Sequence, residues 1–278
     1  MKLYSIEAGN YKIDGGAAFG TVPKSIWEKL YKADKDNLIV ISQRCLLIED
    51  AEHIILVDTG MGNKQSEKFY SYQHLLDDYD LIHSIEQTGY SPDKITDVIF
   101  THLHYDHCGG ALLKNDSGYV TVFNNAIHWC SRVQWEWAQK PNKREQAAYF
   151  QENYMPLYKS GQLKFIEKEG NFTNNVYLKL FNGHTWGQII PFIKYKNYVV
   201  VYTSDFIPSS AHIPIHYIAS FDIQPLISMQ EKEAFLEEAL SNNYILFFEH
   251  DSCVECCTLK MTPKGIRVDK LFKISDLY

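Results

Sequence analysis

The sequence predicts an α+β fold in which two sheets face each other with helices outside. Three observations carry that prediction. Both halves are rich in strand-like runs with helix-length segments interleaved. No linker rich in Pro, Gly or Ser divides them, and no short repeat runs along the chain. With 278 residues the chain could form one large domain or two small ones, and a single domain over 1–278 is the better reading.

The elements follow in order. Met1 to Glu7 has no apolar h-region and reads as a first strand. Residues 37–49 form an apolar, β-branched run, 50–53 turn, and 54–57 return as a buried strand. Asp58-Thr59-Gly60-Met61-Gly62 breaks the pattern with two glycines. The spacing of Leu75, Leu76, Leu81, Ile82 and Ile85 predicts a helix over 66–88. Ser91-Pro92 marks another helix start, with Ser as N-cap and Pro at the first position, before a strand at 98–101. Residues 120–123 and 127–130 are strand-like. An aromatic, helix-prone insertion follows at about 131–160. Strands return at 163–167, 175–181, 189–195 and 198–204, the last two joined by a tight hairpin at Lys196-Asn197. A helix over 228–241 turns Phe235, Leu236 and Leu240 inward and leads to a strand at 244–248.

Composition narrows the partners. The formal charge is −7 and no Lys/Arg block marks a phosphate track, which argues against nucleic acid. The longest apolar runs have strand length, so no membrane segment is expected. Six cysteines at irregular spacing form no disulfide framework, and with no signal peptide in view they favour a reducing cytoplasm. Cys253, Cys256 and Cys257 lack the second Cys pair of a metal knuckle and read as structural thiols.

The chemistry concentrates in Thr101-His102-Leu103-His104-Tyr105-Asp106-His107-Cys108-Gly109-Gly110. Three imidazoles and a carboxylate within six positions are donors that Zn²⁺ and similar ions prefer. Further ligand-type residues end apolar strands: His184 in Asn182-Gly183-His184-Thr185-Trp186-Gly187, Asp205 after Val199 to Ser204, and His250 after Ile245 to Glu249. Strand ends on a rigid scaffold are where such groups are usually presented.

Together, from Val57-Asp58-Thr59-Gly60 through H-x-H-x-D-H to Glu249-His250-Asp251, these segments make nearly the whole chain resemble the metallo-β-lactamase superfamily. The resemblance implies a four-layer αββα sandwich. By position it implies His102, His104 and His184 on a first metal, Asp106, His107 and His250 on a second, and Asp205 bridging both. Two divalent ions, with Zn²⁺ the best match to these donors, are the implied cofactors. Asp58 matches a position that supports the site by orienting a ligand imidazole. Asp205 stands where true β-lactamases commonly use Cys, and the Asp205 and His250 segments resemble the acyl-homoserine lactonase and methyl-parathion-hydrolase-like branch. Trp186 and Gln188 depart from the Pro and His that many relatives carry there, which loosens any transfer of substrate.

The expected activity is therefore hydrolysis. A bridging hydroxide, available near neutral pH because metals lower the pKa of water, would attack an ester or lactone carbonyl, with phosphotriesters as a side activity. Asp205 would set the metal separation and Asp106 would help move a proton to the leaving group. Tyr105, Trp135, Phe206 and His212 are candidates for substrate walls, and the aromatic insertion is either wall or core. Two alternatives stand beside this reading: a thioesterase of the glyoxalase II kind, and a non-catalytic binding or signalling module that keeps its metals for structure.

Overall fold

The computed structural model describes residues 1–76, 80–116 and 118–278. The chain runs through β1 (Lys2–Asp14), the short helices α1 (Gly15–Phe19) and α2 (Lys24–Trp27), β2 (Leu38–Asp50) and β3 (His53–Val57). Next come α3 (Glu67–Gln73), α4 (Leu81–Glu86), β4 (Asp97–Ile99), α5 (Tyr105–Cys108) and the hairpin of β5 (Leu112–Asn115) with β6 (Gly118–Thr121). After these come β7 (Ile127–Ser131), α6 (Arg132–Gln139), α7 (Met155–Lys159) and β8 (Leu163–Ile166). The remainder is β9 (Gly170–Asn171), β10 (Val176–Phe181), β11 (Gln188–Tyr195), β12 (Tyr198–Tyr202), α8 (Pro225–Ser241), β13 (Ile245–Phe247), β14 (Cys256–Thr262) and β15 (Gly265–Phe272).

These elements fall into two compact units. One comprises Met1–Gly9 with Gln43–Glu169, the other Asn10–Ser42 with Gly170–Tyr278. The first unit is built on a sheet of order β1-β2-β3-β4-β7-β8, whose β1 and β2 run on into residues of the second. Its strands β3, β4, β7 and β8 are parallel neighbours. Parallel strands need long crossovers and are covered on both faces, which is why β4 is buried at every position. Leu47, Leu56, Val98, Phe100 and Trp135 belong to the core of this unit.

The second unit carries a sheet of order β15-β14-β13-β12-β11-β10-β9. Here β12 and β13 are parallel and the other pairs antiparallel. The turn between β11 and β12 places Lys196 at φ 52, as a two-residue hairpin requires. Phe181, Phe206, Phe235, Leu236 and Leu246 belong to its core.

Several sequence expectations are corrected. The helix over 66–88 is not continuous, since α3 ends at His74 in the left-handed region and α4 begins only at Leu81. Leu75 and Leu76 are exposed while Leu81 and Ile85 are buried, so the five apolar residues do not share one face. Positions 77–79 of that stretch lie outside the described residues. Pro92–Lys94 is one 3-10 turn, and Ser91 makes no side-chain cap. The strand expected at 98–101 stops at Ile99 because Thr101 turns its backbone and hydroxyl to Asp58. The helix-prone insertion folds as short helical pieces, α6, two 3-10 turns and α7. The β14–β15 hairpin, with its charged and half-exposed positions, was not foreseen. Within it Cys256 and Cys257 are buried, and all six cysteines are free thiols.

Candidate metal centre

Strand register explains where the donors gather. In the first unit β3 and β4 run parallel with Val57 opposite Ile99, so Asp58 and Thr101-His102 leave neighbouring carboxyl ends. Ligands of α/β sheets commonly bind at such ends. Asp58 takes a left-handed φ of 59, which Asp tolerates better than most residues, and its N–H donates to the Ile99 carbonyl at 2.9 Å. Thr59 then donates from its backbone N–H (2.7 Å) and its hydroxyl (2.9 Å) to the carbonyl of His107, holding α5 against this loop. The backbones of Gly62 and Gly109 pass so closely that a Cβ on either would collide with the other strand of chain, which accounts for both glycines.

The buried carboxylate of Asp58 organises the motif. It accepts from Thr101 N at 2.7 Å and Thr101 Oγ1 at 2.6 Å, and it lies 3.1 Å from His107 Nδ1. Because the Thr101 hydroxyl donates to Asp58, its oxygen accepts from His102 Nδ1 at 3.0 Å. His104 turns Nε2 to Glu145 Oε1 at 2.9 Å. In consequence His102 Nε2 and His104 Nδ1 point at each other across 2.9 Å, and His107 Nε2 faces Asp106 at 3.8 Å.

The second unit repeats the logic. β12 and β13 are parallel with Tyr202 opposite Phe247, so Asp205 and His250 follow neighbouring strand ends. The register of β11 on β12, Phe192 opposite Val201, carries Gln188 and the turn holding His184 toward the same end. Ser204 is held at φ 43 just before Asp205, a strained conformation of the kind that recurs at functional sites. His184 Nδ1 meets Asp222 Oδ1 at 2.9 Å and its Nε2 meets Asp205 Oδ2 at 3.0 Å. His250 Nδ1 donates to the Ser42 carbonyl at 2.7 Å, and its Nε2 meets Asp205 Oδ1 at 2.7 Å.

His102, His104, His107, His184 and His250, all buried, thus each have one ring nitrogen fixed by a protein acceptor and the other turned to a further ligand-type atom. That is how metal-ligating histidines are oriented. Burial pulls the His184 imidazole down, but Asp205 and Asp222 on either side outweigh it and push the group up to about 10. A position that holds a proton so tightly between two carboxylates is one that a divalent cation also satisfies. The donors therefore fit divalent metal. Cys108, beside His107, is pushed up to about 12 by burial and stays a neutral thiol, unsuited to act as a nucleophile.

The remaining predicted residues lie as follows. Tyr105 is half-buried, stacked on Phe150 (ring centroids 5.4 Å) and edge-on to Phe69 (5.1 Å), with its hydroxyl donating to Gln73. Trp135 packs in the first unit's core against Tyr154, Tyr158 and Phe165. Phe206 packs in the second unit's core against Phe181 and Phe235. His212 stacks on Phe19 and is pinned by Ser209 and the Ala18 carbonyl. Sequence reasoning missed Glu145 and Asp222. Glu145 lies in a polar stretch and Asp222 in a mainly apolar one, neither with diagnostic spacing, and only the fold brings each to an imidazole.

A family model described as the metallo-beta-lactamase superfamily matches residues 39–250, and the chain belongs to that superfamily. Its class is that of the metal-dependent hydrolases. Among curated relatives, an N-acyl homoserine lactonase from Bacillus cereus is 25% identical over 262 residues, covering 90% of this chain and 93% of its own. A probable metal-dependent hydrolase from Staphylococcus aureus matches with TM-score 0.89 at 28% identity, over 98% of this chain and 96% of its own. AidC, a dizinc quorum-quenching lactonase in complex with a product, shares the fold with TM-score 0.79 at 22% identity, over 96% of this chain and 93% of its own.

Proposed function

We propose that the protein hydrolyses lactones, with N-acyl homoserine lactones as the first substrate class and simple esters and phosphotriesters as lesser ones. The observation that carries this reading is the set of five buried imidazoles with one nitrogen each fixed by the protein, in a chain whose curated relatives include N-acyl homoserine lactonases. In this reading His102, His104 and His184 hold one divalent ion, Asp106, His107 and His250 hold a second, and Asp205 is a ligand to both, with Zn²⁺ the preferred metal. The whole chain then acts as one functional domain, and six free thiols suit a reducing cytoplasm.

When bound, such a metal pair supplies Lewis acidity and water acidified to near-neutral pKa. The chain's own groups do the rest. Ring opening adds water to the carbonyl carbon and breaks its bond to the ring oxygen, which must gain a proton as it leaves. Asp106, partly exposed beside His107 Nε2, is the carboxyl placed to hold and deliver that proton. Tyr105, Phe69 and Phe150 form an aromatic cluster next to the motif that suits an acyl chain.

The test is a substrate panel on zinc-loaded protein: acyl-homoserine lactones, aryl esters, phosphotriesters and thioesters, with metal content measured on the same sample. Two ions per chain and the highest kcat/KM on the lactones are expected. Preferred turnover of thioesters would move the protein to the glyoxalase II kind of reaction, and two bound ions without any turnover would make it a binding module. Asp205→Ala should lower metal content and cut kcat/KM by about 100-fold or more. Full activity with both ions retained would refute its assignment.

A further inference from the structure

The carboxylate of Glu145 is the meeting point of three donors inside the first unit. Its Oε1 lies 2.9 Å from His104 Nε2 and 2.7 Å from the Tyr149 hydroxyl, and its Oε2 accepts from Trp137 Nε1 at 2.6 Å. Indole N–H can only donate, and the one Tyr149 hydroxyl proton goes to Glu145 Oε1 at 2.7 Å, the shorter of its two contacts (the other is Gln134 Oε1 at 3.0 Å), so the carboxylate serves as an acceptor throughout. The third contact must then be a donation from His104 Nε2–H. Glu145, His104 and Tyr149 are all buried, which makes each of these bonds costly to leave unmade. The backbone at Glu145 is fixed in turn, because Asn142 Oδ1 accepts from the N–H of Arg144 (2.8 Å) and of Glu145 (3.0 Å). Trp137 lies on α6 and Tyr149 just beyond a 3-10 turn, so the aromatic insertion supplies both of the other donors.

We infer that Glu145 is a positioning residue that selects the tautomer of His104, so that Nδ1 rather than Nε2 is presented as the metal ligand. The aromatic insertion serves to hold that carboxylate in place. This rests on the reading of His104 as a ligand and gives the insertion a task other than lining a wall. A carboxylate is required rather than an amide. In Glu145→Gln one of the two oxygens becomes an NH₂ group, which must confront either the Trp137 N–H or the His104 N–H.

Long-range ¹H–¹⁵N correlation spectra of the histidine rings, recorded on the protein as purified and after zinc loading, test the inference. The wild type should carry the His104 proton at Nε2 and show zinc at Nδ1. Glu145→Gln should lose that single pattern and weaken zinc binding about 10- to 100-fold in a chelator competition. Trp137→Phe keeps the carboxylate and its Tyr149 donor but loosens its hold, and should retain the His104 pattern with a smaller loss of zinc affinity than Glu145→Gln; an equal or larger loss overturns the inference. A wild-type His104 protonated at Nδ1 overturns the inference without any variant, and so does a Glu145→Gln protein with unchanged ring signals and zinc affinity. If the tautomer and zinc results hold while no lactone is turned over, the substrate reading falls and the role of Glu145 stands.

Discussion

His128 shows how one side chain couples this fold to pH. It lies on β7 with its ring buried near Phe100 and Phe123, and neither ring nitrogen has a hydrogen-bond partner among the described residues. Burial pushes its pKa down to about 4, against an ordinary value of 6.5. Between those two values the unfolded chain binds a proton that the folded chain refuses, so stability falls as pH drops from 6.5 toward 4. The contribution over that window is on the order of 3 kcal/mol. His128→Phe should remove this share of the acid sensitivity. The comparison is urea unfolding of wild type and variant at pH 7 and pH 4.5, and equal losses in both proteins would mean that His128 plays no part. At the same scale, Asp58 and Glu145 each hold one ring nitrogen of a motif imidazole, so the orientation of His107 and His104 depends on a carboxylate outside the motif as well as on place within it.

At the scale of elements, α8 does more than cover a sheet. Lys232 on its inner face is 1% exposed, and its ammonium donates to the carbonyls of His212 (3.0 Å), Pro214 (3.1 Å) and Tyr217 (2.8 Å). Those carbonyls belong to the irregular segment between Asp205 and Asp222, which has no sheet ladder to hold it. Asp251 fastens the start of the same segment by accepting from Ser210 N and Oγ, at 2.9 and 2.6 Å. Lys232→Met keeps the length and apolar stem but leaves three carbonyls without their donor. It should cost about 3 kcal/mol in urea unfolding, the scale expected when buried carbonyls lose their donor. A loss below about 1 kcal/mol would show that the segment is held by its other contacts. The segment keeps Asp222 behind His184, so the same variant should also release metal more readily.

For the whole molecule, metal and stability should be linked. Ions that bind the folded chain and not the unfolded one stabilise it by about 4 kcal/mol per site when free metal is a thousandfold above Kd. Chelation should therefore lower the thermal midpoint and abolish hydrolysis together, and added Zn²⁺ should restore both. A midpoint indifferent to chelator and zinc would argue against metal as part of the folded state. The amino-acid sequence by itself determined the superfamily, the α+β class, most strands and the donor-bearing segments. Period-two runs and a dense H-x-H-x-D-H pattern are local signals, and they survive without knowledge of the fold. Only the tertiary structure decided which nitrogen of each imidazole is held, and by whom. Glu145 stands 41 positions from His104, and Asp222 stands 38 from His184, with no local pattern to announce either. It also decided that Trp135 and Phe206 pack in cores and that the stretch after Ser66 breaks at His74. Such outcomes depend on long-range packing and hydrogen-bond satisfaction, which override the local propensities that sequence reading relies on.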